Sequence, residues 1–511
     1  MKGKIILLLC VLVAFSLNFA ITDEHDRNRT EKLSEWTDPV NISNSPVHSW
    51  GPVVAADSEG RAFVAWVEET FATRIFFSTN VSGSWIKPIN VSGYFKIKEG
   101  PIPSIYVDKD GVAHIVFAAI SGTYEIFYNY YKNGKLKGNL NITETRRGGS
   151  MYQSIYGDRN NGFIYVVWQD DENAPEGSLG YWEIMLVYKD PNKTHWSYID
   201  IIPTISNRVY TPEISIDGKG AAHLVWINRS LINNSIVWYA YNPDPTDVSQ
   251  WSTPIPISEG TGIDFCWPEI DTDNNGNAYV VWENICEGNK DIFFRKRING
   301  EWGDIINLSK TPDTSEQATI AVDKETGDIY VAWAEKKGVK NWDVYLRTYE
   351  NGKWSEPINM TNNPSTSGNP SLWVDEQGGV HLVYADNYKG PCEILYRYRP
   401  SKRRILPPVN LKLTTKINKT LFYSEKINYL TWEKNPENEK NEFIQVTRYS
   451  VYRKEVGQDD SKYVEIFTTS DANTFEYEDR YLPIDKKYVY AVTAWDQRNK
   501  ESEKSEPVSE E

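Results

Sequence analysis

The segment Trp36–Ser43 reads "WTDPVNIS", and close copies recur at Trp85 ("WIKPINVS"), Trp251 ("WSTPIPIS"), Trp302 ("WGDIINLS") and Trp354 ("WSEPINMT"). Every later copy closes a longer repeat, whereas the first has no repeat before it. A second motif supplies the frame. It has the form PxIxVDxxGxxHxVW, and its aspartate falls at 57, 108, 158, 217, 273, 323 and 375, at intervals of 51, 50, 59, 56, 50 and 52 residues. Periods near 50 residues belong to blades or arrays. In "PSIYVDKDGVAHIVF" (Pro103–Phe117) two alternating strands flank a D-x-x-G turn, where Gly supplies the positive φ of a tight hairpin. A third strand such as "DVYLRTY" (Asp343–Tyr349) follows, then an Asn-Gly turn (Asn133-Gly134, Asn299-Gly300, Asn351-Gly352), then the "WSxPINIS" strand. Four antiparallel strands in a unit of this length make a propeller blade.

Counting the two motifs separately fixes the number of blades. There are seven D-x-x-G cores, and seven fourth strands at Trp36, Trp85, Leu136 ("LKGNLNIT"), Trp196, Trp251, Trp302 and Trp354. The last core, Pro370–Tyr398, has no fourth strand after it. The expectation is an all-β chain whose residues 36–400 form a seven-bladed β-propeller. The N-terminal strand would pair onto the last blade and remove two exposed sheet edges. His114, His223 and His381 occupy the slot that Phe63, Tyr165, Tyr279 and Tyr330 fill elsewhere, which makes them packing histidines. The repeated Trp66, Trp168, Trp226, Trp282 and Trp333 are expected as core wedges between blades.

The chain begins "MKGKIILLLCVLVAFSLNFA", the layout of a secretory signal over residues 1–20, followed by a linker over 21–35. No later apolar run approaches the ~20 residues of a spanning helix, so no other transmembrane segment is expected. The protein is expected to be exported, secreted or held at the cell surface, and monomeric. The formal net charge of -15 becomes -17 without the signal, and nearly all of it falls before residue 401. An acidic surface argues against nucleic acid as a partner and suits neutral or cationic ligands. Nineteen Trp and 32 Tyr suit a β-rich core or a stacking surface for sugars. Cys266 and Cys286 fall in two upper loops of one blade and are expected to form a disulfide, leaving Cys392 unpaired. Asn41, Asn90, Asn141, Asn307 and Asn359 are glycosylation sequons created by the repeat itself.

The loops that join blades, and those between second and third strands, share one face and vary between repeats, which makes that face the binding surface. One loop set contributes Trp50, Phe95, Arg147, Tyr152, Arg208, Tyr210 and Trp267, and the other Asp170, Arg229, Glu335, Asp386 and Tyr388. Aromatic rings can stack on a sugar while charged groups fix its hydroxyls. "DTDNNGN" (Asp271–Asn277) imitates the opening of a calcium loop, but it lies where every repeat has its hairpin turn. No cofactor is expected, with calcium as the alternative.

The repeats resemble the sialidase-like propellers with BNR or Asp-box repeats. The box S-x-D-x-G-x-T-W is not present in that form: "SIDGKGAAHLVW" (Ser215–Trp226) has its glycines displaced, and no Arg-Ile-Pro segment exists. That resemblance would imply six blades and a glycosidase with an arginine triad, of which Arg147, Arg208 and Arg229 are the candidates here. After a linker over 401–406, residues 407–511 carry "INYLTW" ending at Trp432 and "LPIDKKYVYAV" (Leu482–Val492). These resemble a fibronectin type III domain, a β-sandwich in which Trp432 is the buried tryptophan and Tyr488 the tyrosine corner. The expected function is non-catalytic recognition of a glycan or cell-surface protein. The alternatives are a sialidase-like glycoside hydrolase and a structural envelope component.

Overall fold

The computed structural model describes residues 33–510 except 71–72, 96, 98–101, 177, 179, 230–234, 260–266, 287, 339–340, 389, 420–423 and 442–443. The expected signal and Cys266 of the expected Cys266–Cys286 pair lie outside the described residues. The chain divides into two compact units, Met1–Pro400 and Ser401–Glu511, and strands dominate both. Among the described residues no helix is long and apolar enough to cross a membrane.

Within the described residues the first unit is a series of seven small antiparallel sheets, six of them built wholly from strands consecutive in the chain. Their first strands are Ser49–Ala56, Ser104–Val107, Ser150–Gly157, Val209–Ile216, Glu269–Thr272, Ser315–Val322 and Ser367–Val374. Each first strand lies beside the next, and that of the seventh sheet lies beside that of the first. Second strands such as Ile164–Asp170 and Val380–Asp386 are buried along their whole length, because neighbouring sheets cover both their faces. Trp66, Trp168, Trp226, Trp282 and Trp333 are fully buried there.

The outer strand of the seventh sheet comes from the other end of the chain. Val40 stands opposite Tyr396 and Asn41 opposite Leu395. The Thr37 and Ile42 amides donate to the Tyr398 and Ile394 carbonyls at 2.8 and 2.9 Å, and Arg399 pairs with Glu35 at 2.8 Å. Trp36 and Ile42 are buried beneath this seam.

The repeated aspartate holds each first hairpin from within. In the fourth sheet Asp217 Oδ1 accepts the Lys219 and Ala221 amides at 2.8 and 3.0 Å, while Oδ2 faces His223 Nε2 at 3.1 Å. His223 Nδ1 in turn meets the Tyr239 hydroxyl at 2.9 Å. His381 repeats the arrangement with Asp375 and Tyr396, and His114 with Asp108 and Tyr128. These histidines are buried links within the sheets. In "DTDNNGN" the same turn chemistry operates: Asp273 Oδ1 accepts the Asn275 and Asn277 amides, and Oδ2 accepts from Asn277 Nδ2 and Tyr279.

In the second unit two sheets run in the orders Val409–Lys419, Ser424–Glu433, Glu476–Leu482 and Val464–Thr468, Val446–Glu455, Tyr488–Asp496, Val508–Ser509. Trp432, Tyr449, Tyr488 and Tyr490 form its buried centre. The Tyr490 hydroxyl, rather than that of the expected Tyr488, joins the polar network, donating to Asp479 and accepting from Asn428 at 2.8 Å each.

Candidate functional site: an axial cavity

The first strands of the seven sheets surround a cavity of about 470 Å³. Its walls follow from the repeat. The side chain four residues before each turn aspartate lies on this inner surface, giving Val53, Ser104, Ser154, Glu213, Glu269, Thr319 and Ser371 around the circuit. Where the residue is a hydroxyl it accepts an amide from the following sheet: Ser104 from Ile155, Ser154 from Ile214, Thr319 from Leu372 and Ser371 from Val54, at 3.2–3.4 Å. The last of these ties the seventh sheet to the first.

Three positions depart from the hydroxyl pattern, Val53 and two acids. Glu213 and Glu269 lie on adjacent first strands and line the cavity. Glu269 Oε2 accepts the Ile320 amide at 3.3 Å. Burial pushes the Glu213 carboxyl up to about 8, helped by the neighbouring Glu269, and pushes Glu269 up to about 7. An enclosed carboxylate with no compensating cation prefers to keep its proton.

The rim is built from β-bulges. Register slips in the first hairpins between Met151 and Ser154, Tyr210 and Glu213, Glu316 and Thr319, and Gly368 and Ser371. At these slips, at the matching slip beside Gly51, and at Trp267 just before the fifth first strand, the backbone turns left-handed: Gly51 (φ 55°), Tyr152 (55°), Thr211 (51°), Trp267 (28°), Gln317 (58°) and Asn369 (49°). Such a φ is costly for most residues with a side chain, above all for β-branched Thr211. Bulges re-aim side chains at functional rims, and all six residues line the cavity. Polar groups from the preceding sheet pin these amides. Gln169 Oε1 accepts from Thr211, Glu283 Oε1 from Gln317 and Gln317 Oε1 from Asn369, at 3.0, 2.6 and 2.7 Å. The Tyr152 and Trp267 rings meet at 5.5 Å, and Trp267 remains 42% exposed.

The floor is a closed polar layer. Asp271 accepts from the Tyr156 hydroxyl, Ser215 and the Val322 amide, and pairs with Lys324. The lysine also lies 5.3 Å from the Tyr156 ring. On the wall, Lys290 bridges Glu283 and Glu316 at 3.4 and 3.2 Å.

Of the residues expected from sequence to bind a ligand, Tyr152 and Trp267 come together at this rim. The three acids proposed with them are committed elsewhere. Asp170 is buried, accepting from the Trp168 indole at 3.0 Å and Ser150 at 2.6 Å, and Glu335 takes the Trp333 indole at 3.1 Å and pairs with Lys337. Asp386 is buried beneath Ser367 and Asn363. Asp170 and Glu335 stand two residues after a wedge tryptophan and complete its buried indole, whereas Asp386 follows Tyr384 and takes Ser367 and Asn363; all three acids are held in structural hydrogen bonds. Phe95 packs on Phe127 at 4.2 Å, while Trp50 and Tyr210 pack between sheets. Arg147 donates to the Glu172 carbonyl at 2.9 Å, and the Arg229 amide to the Arg208 carbonyl at 3.0 Å. None of these three arginines lines the cavity. Tyr388 is exposed at 53% away from the cavity lining. Sequence reasoning missed Glu213, Glu269, Gln153 and the bulge residues Thr211, Gln317 and Asn369. The readable signal was Glu at a repeat position otherwise held by Ser, Thr or Val.

No family model matches the chain, and no curated protein matches it. Solved structures do. An ulvan lyase of a new polysaccharide lyase family, bound to -[GlcA(1-4)Rha3S]-, superposes with a TM-score of 0.50 at 12% identity, over 70% of this chain and 95% of its own. A Hadza microbial sialidase gives 0.43 at 11% identity over 66% and 76% of the two chains, and a leech intramolecular trans-sialidase 0.40 at 13% over 71% and 70%. At such identity the likeness to the lyase is one of fold, and the chain is a nearly all-β protein of many small antiparallel sheets with a β-propeller-like neighbour in that lyase.

Proposed function

We propose that this is an exported, non-catalytic glycan-binding protein, a seven-bladed propeller closed by its N-terminal strand and followed by a fibronectin type III-like module. The observation that carries the binding reading is the rim of bulged residues, which turns two aromatic rings, two amides and a hydroxyl toward one cavity at a cost in backbone strain. A volume of this size suits one or two sugar rings. Stacking faces and amide donors are the groups that neutral carbohydrate recognition needs. The pairing of Val40 with Tyr396 supports ring closure, and the three- and four-stranded sheet orders of residues 409–509 support the module. The lysine- and leucine-rich opening supports export. The ulvan lyase, solved with a bound saccharide on a similar fold, is in keeping with a glycan ligand.

Screening the full chain on a glycan array tests the reading. Tyr152→Ala or Trp267→Ala should weaken binding about tenfold or more with unchanged melting, since stacking on an aromatic is worth about 1–3 kcal/mol. Retained binding in both variants would move the site elsewhere. One feature favours hydrolysis as a second reading: burial pushes the Glu213 carboxyl up to about 8, the direction that suits a general acid. Release of fluorophore from aryl glycosides, abolished by Glu213→Gln, would establish that reading instead.

A further inference from the structure

Each acid in the cavity other than one adjacent pair has a cation partner. Asp271 has Lys324, while Glu283 and Glu316 share Lys290. Glu213 and Glu269 form no ion pair among the described residues, and their electrostatic neighbours are other acids. A second observation points the same way. Gln153 and Thr211 line the cavity at 5% and 6% exposure, and Gln153 Oε1 and Thr211 Oγ1 make no hydrogen bond. The Gln153 amide nitrogen is already spent on the Ile102 carbonyl at 2.8 Å, so its free atom is an acceptor. The cavity thus carries unmet acceptors and no unmet cation, under a pair of aromatic rings.

We propose that the cavity takes a protonated amine, carried by the bound sugar, between Glu213 and Glu269 and beneath Tyr152 and Trp267. This rests on the glycan reading above and names the chemistry of its ligand. An ammonium donates three hydrogen bonds and is attracted to aromatic faces. The cavity is far larger than a metal ion needs and is of the size that takes an organic ligand. An entering ammonium favours the ionised form of both acids, so the protons that the pair still holds pass to the solvent on binding. The titratable and charged groups around the pair are Tyr152 and Tyr156 from the third sheet, Asp271, Glu283 and Lys290 from the fifth, and Glu316 and Lys324 from the sixth. Of the described lining residues from the first, second and seventh sheets, none is titratable. Affinity therefore rises with pH from the ordinary glutamate range toward neutrality, as the proton penalty falls.

Calorimetry on the full chain tests this with four probes: glucosamine oligosaccharides with free amines, their N-acetylated counterparts, 1,6-diaminohexane and calcium chloride. The free-amine oligosaccharide should bind about tenfold or more tighter at pH 7 than the acetylated one, because charged hydrogen bonds are worth about 1.5–3 kcal/mol. It should release protons, read from two buffers of different ionisation heat. Glu213→Gln/Glu269→Gln, confirmed folded by its melt, should erase the preference and keep the acetylated ligand. Equal binding of both oligosaccharides overturns the amine and leaves the glycan reading intact. Binding of diaminohexane without either oligosaccharide supports the amine site and overturns the glycan reading. Calcium binding with no response to amines, or no response to any probe, overturns the proposal.

Discussion

A side chain in this molecule is explained by what it leaves unsatisfied. The wedge tryptophans bury an indole N–H, and where an acid stands two residues later it receives that donor, as Glu68 does for Trp66 at 3.1 Å. Glu213 has no such task. It keeps a carboxyl in the cavity, raised by burial from 4.5 to about 8. The unfolded chain ionises first as pH rises, so this group subtracts stability progressively between about 4.5 and 8, and no further above that. Glu213→Gln removes the penalty. Thermal melts should show equal stability near pH 4.5 and a gain on the order of a few °C at pH 8. A variant that melts lower at pH 8 would mean that the carboxylate is held charged by an interaction of its own.

At the scale of the element, the "IN-I-S" strand shows how one sequence feature can mimic another. Its asparagine accepts an amide three residues on, as Asn90 does from Gly93, Asn307 from Lys310 and Asn359 from Asn362, at 2.8–3.0 Å. Its hydroxyl two residues later accepts an amide of the third strand, Ser92 from Ile75 and Thr361 from Val344. The sequon is thus a turn that ends the strand. Asn359 is buried, and its Nδ2 donates to Asp343 at 2.8 Å. Asn359→Ala should cost about 1–3 kcal/mol by urea denaturation, because the buried Asp343 oxygen loses a donor, and mass spectrometry of the chain made in a host that glycosylates secreted proteins should find no glycan on Asn359. Strand order and sheet number were legible in this pattern because turn aspartates, wedge tryptophans and closing asparagines recur at fixed spacing. The rim was not. Left-handed backbone at Tyr152, Thr211 and Gln317 is imposed by the bulge, and these residue types carry no local signal for it. Loop acids such as Asp170 looked available because the indole that claims them is not visible in a one-dimensional reading.

For the molecule as a whole, the seam between the chain's two ends governs the stability of the first unit. Six of the seven sheets take all their strands from one stretch of chain, and the seventh draws its outer strand from Val40–Asn41. Closing it forms a contact across more than 350 residues, the slowest kind to make, so the seam should assemble last in folding. Its apolar anchors are Trp36 and Ile42, exposed by 7% and 2%, each worth roughly 1.5–3 kcal/mol of burial. A chain beginning at Ser45 should therefore lose roughly 3–6 kcal/mol. It would also bare the backbone groups of Tyr396 and Leu395 as an unpaired edge open to other chains. Urea melts, limited proteolysis of the Glu393–Arg399 strand and size-exclusion chromatography should show a lower midpoint, early cleavage there and concentration-dependent oligomers. Adding back a synthetic peptide of residues 33–45 should restore the midpoint and suppress the oligomers. A truncated chain as stable and monodisperse as the full one would mean that the first strands around the cavity hold the ring shut without the seam.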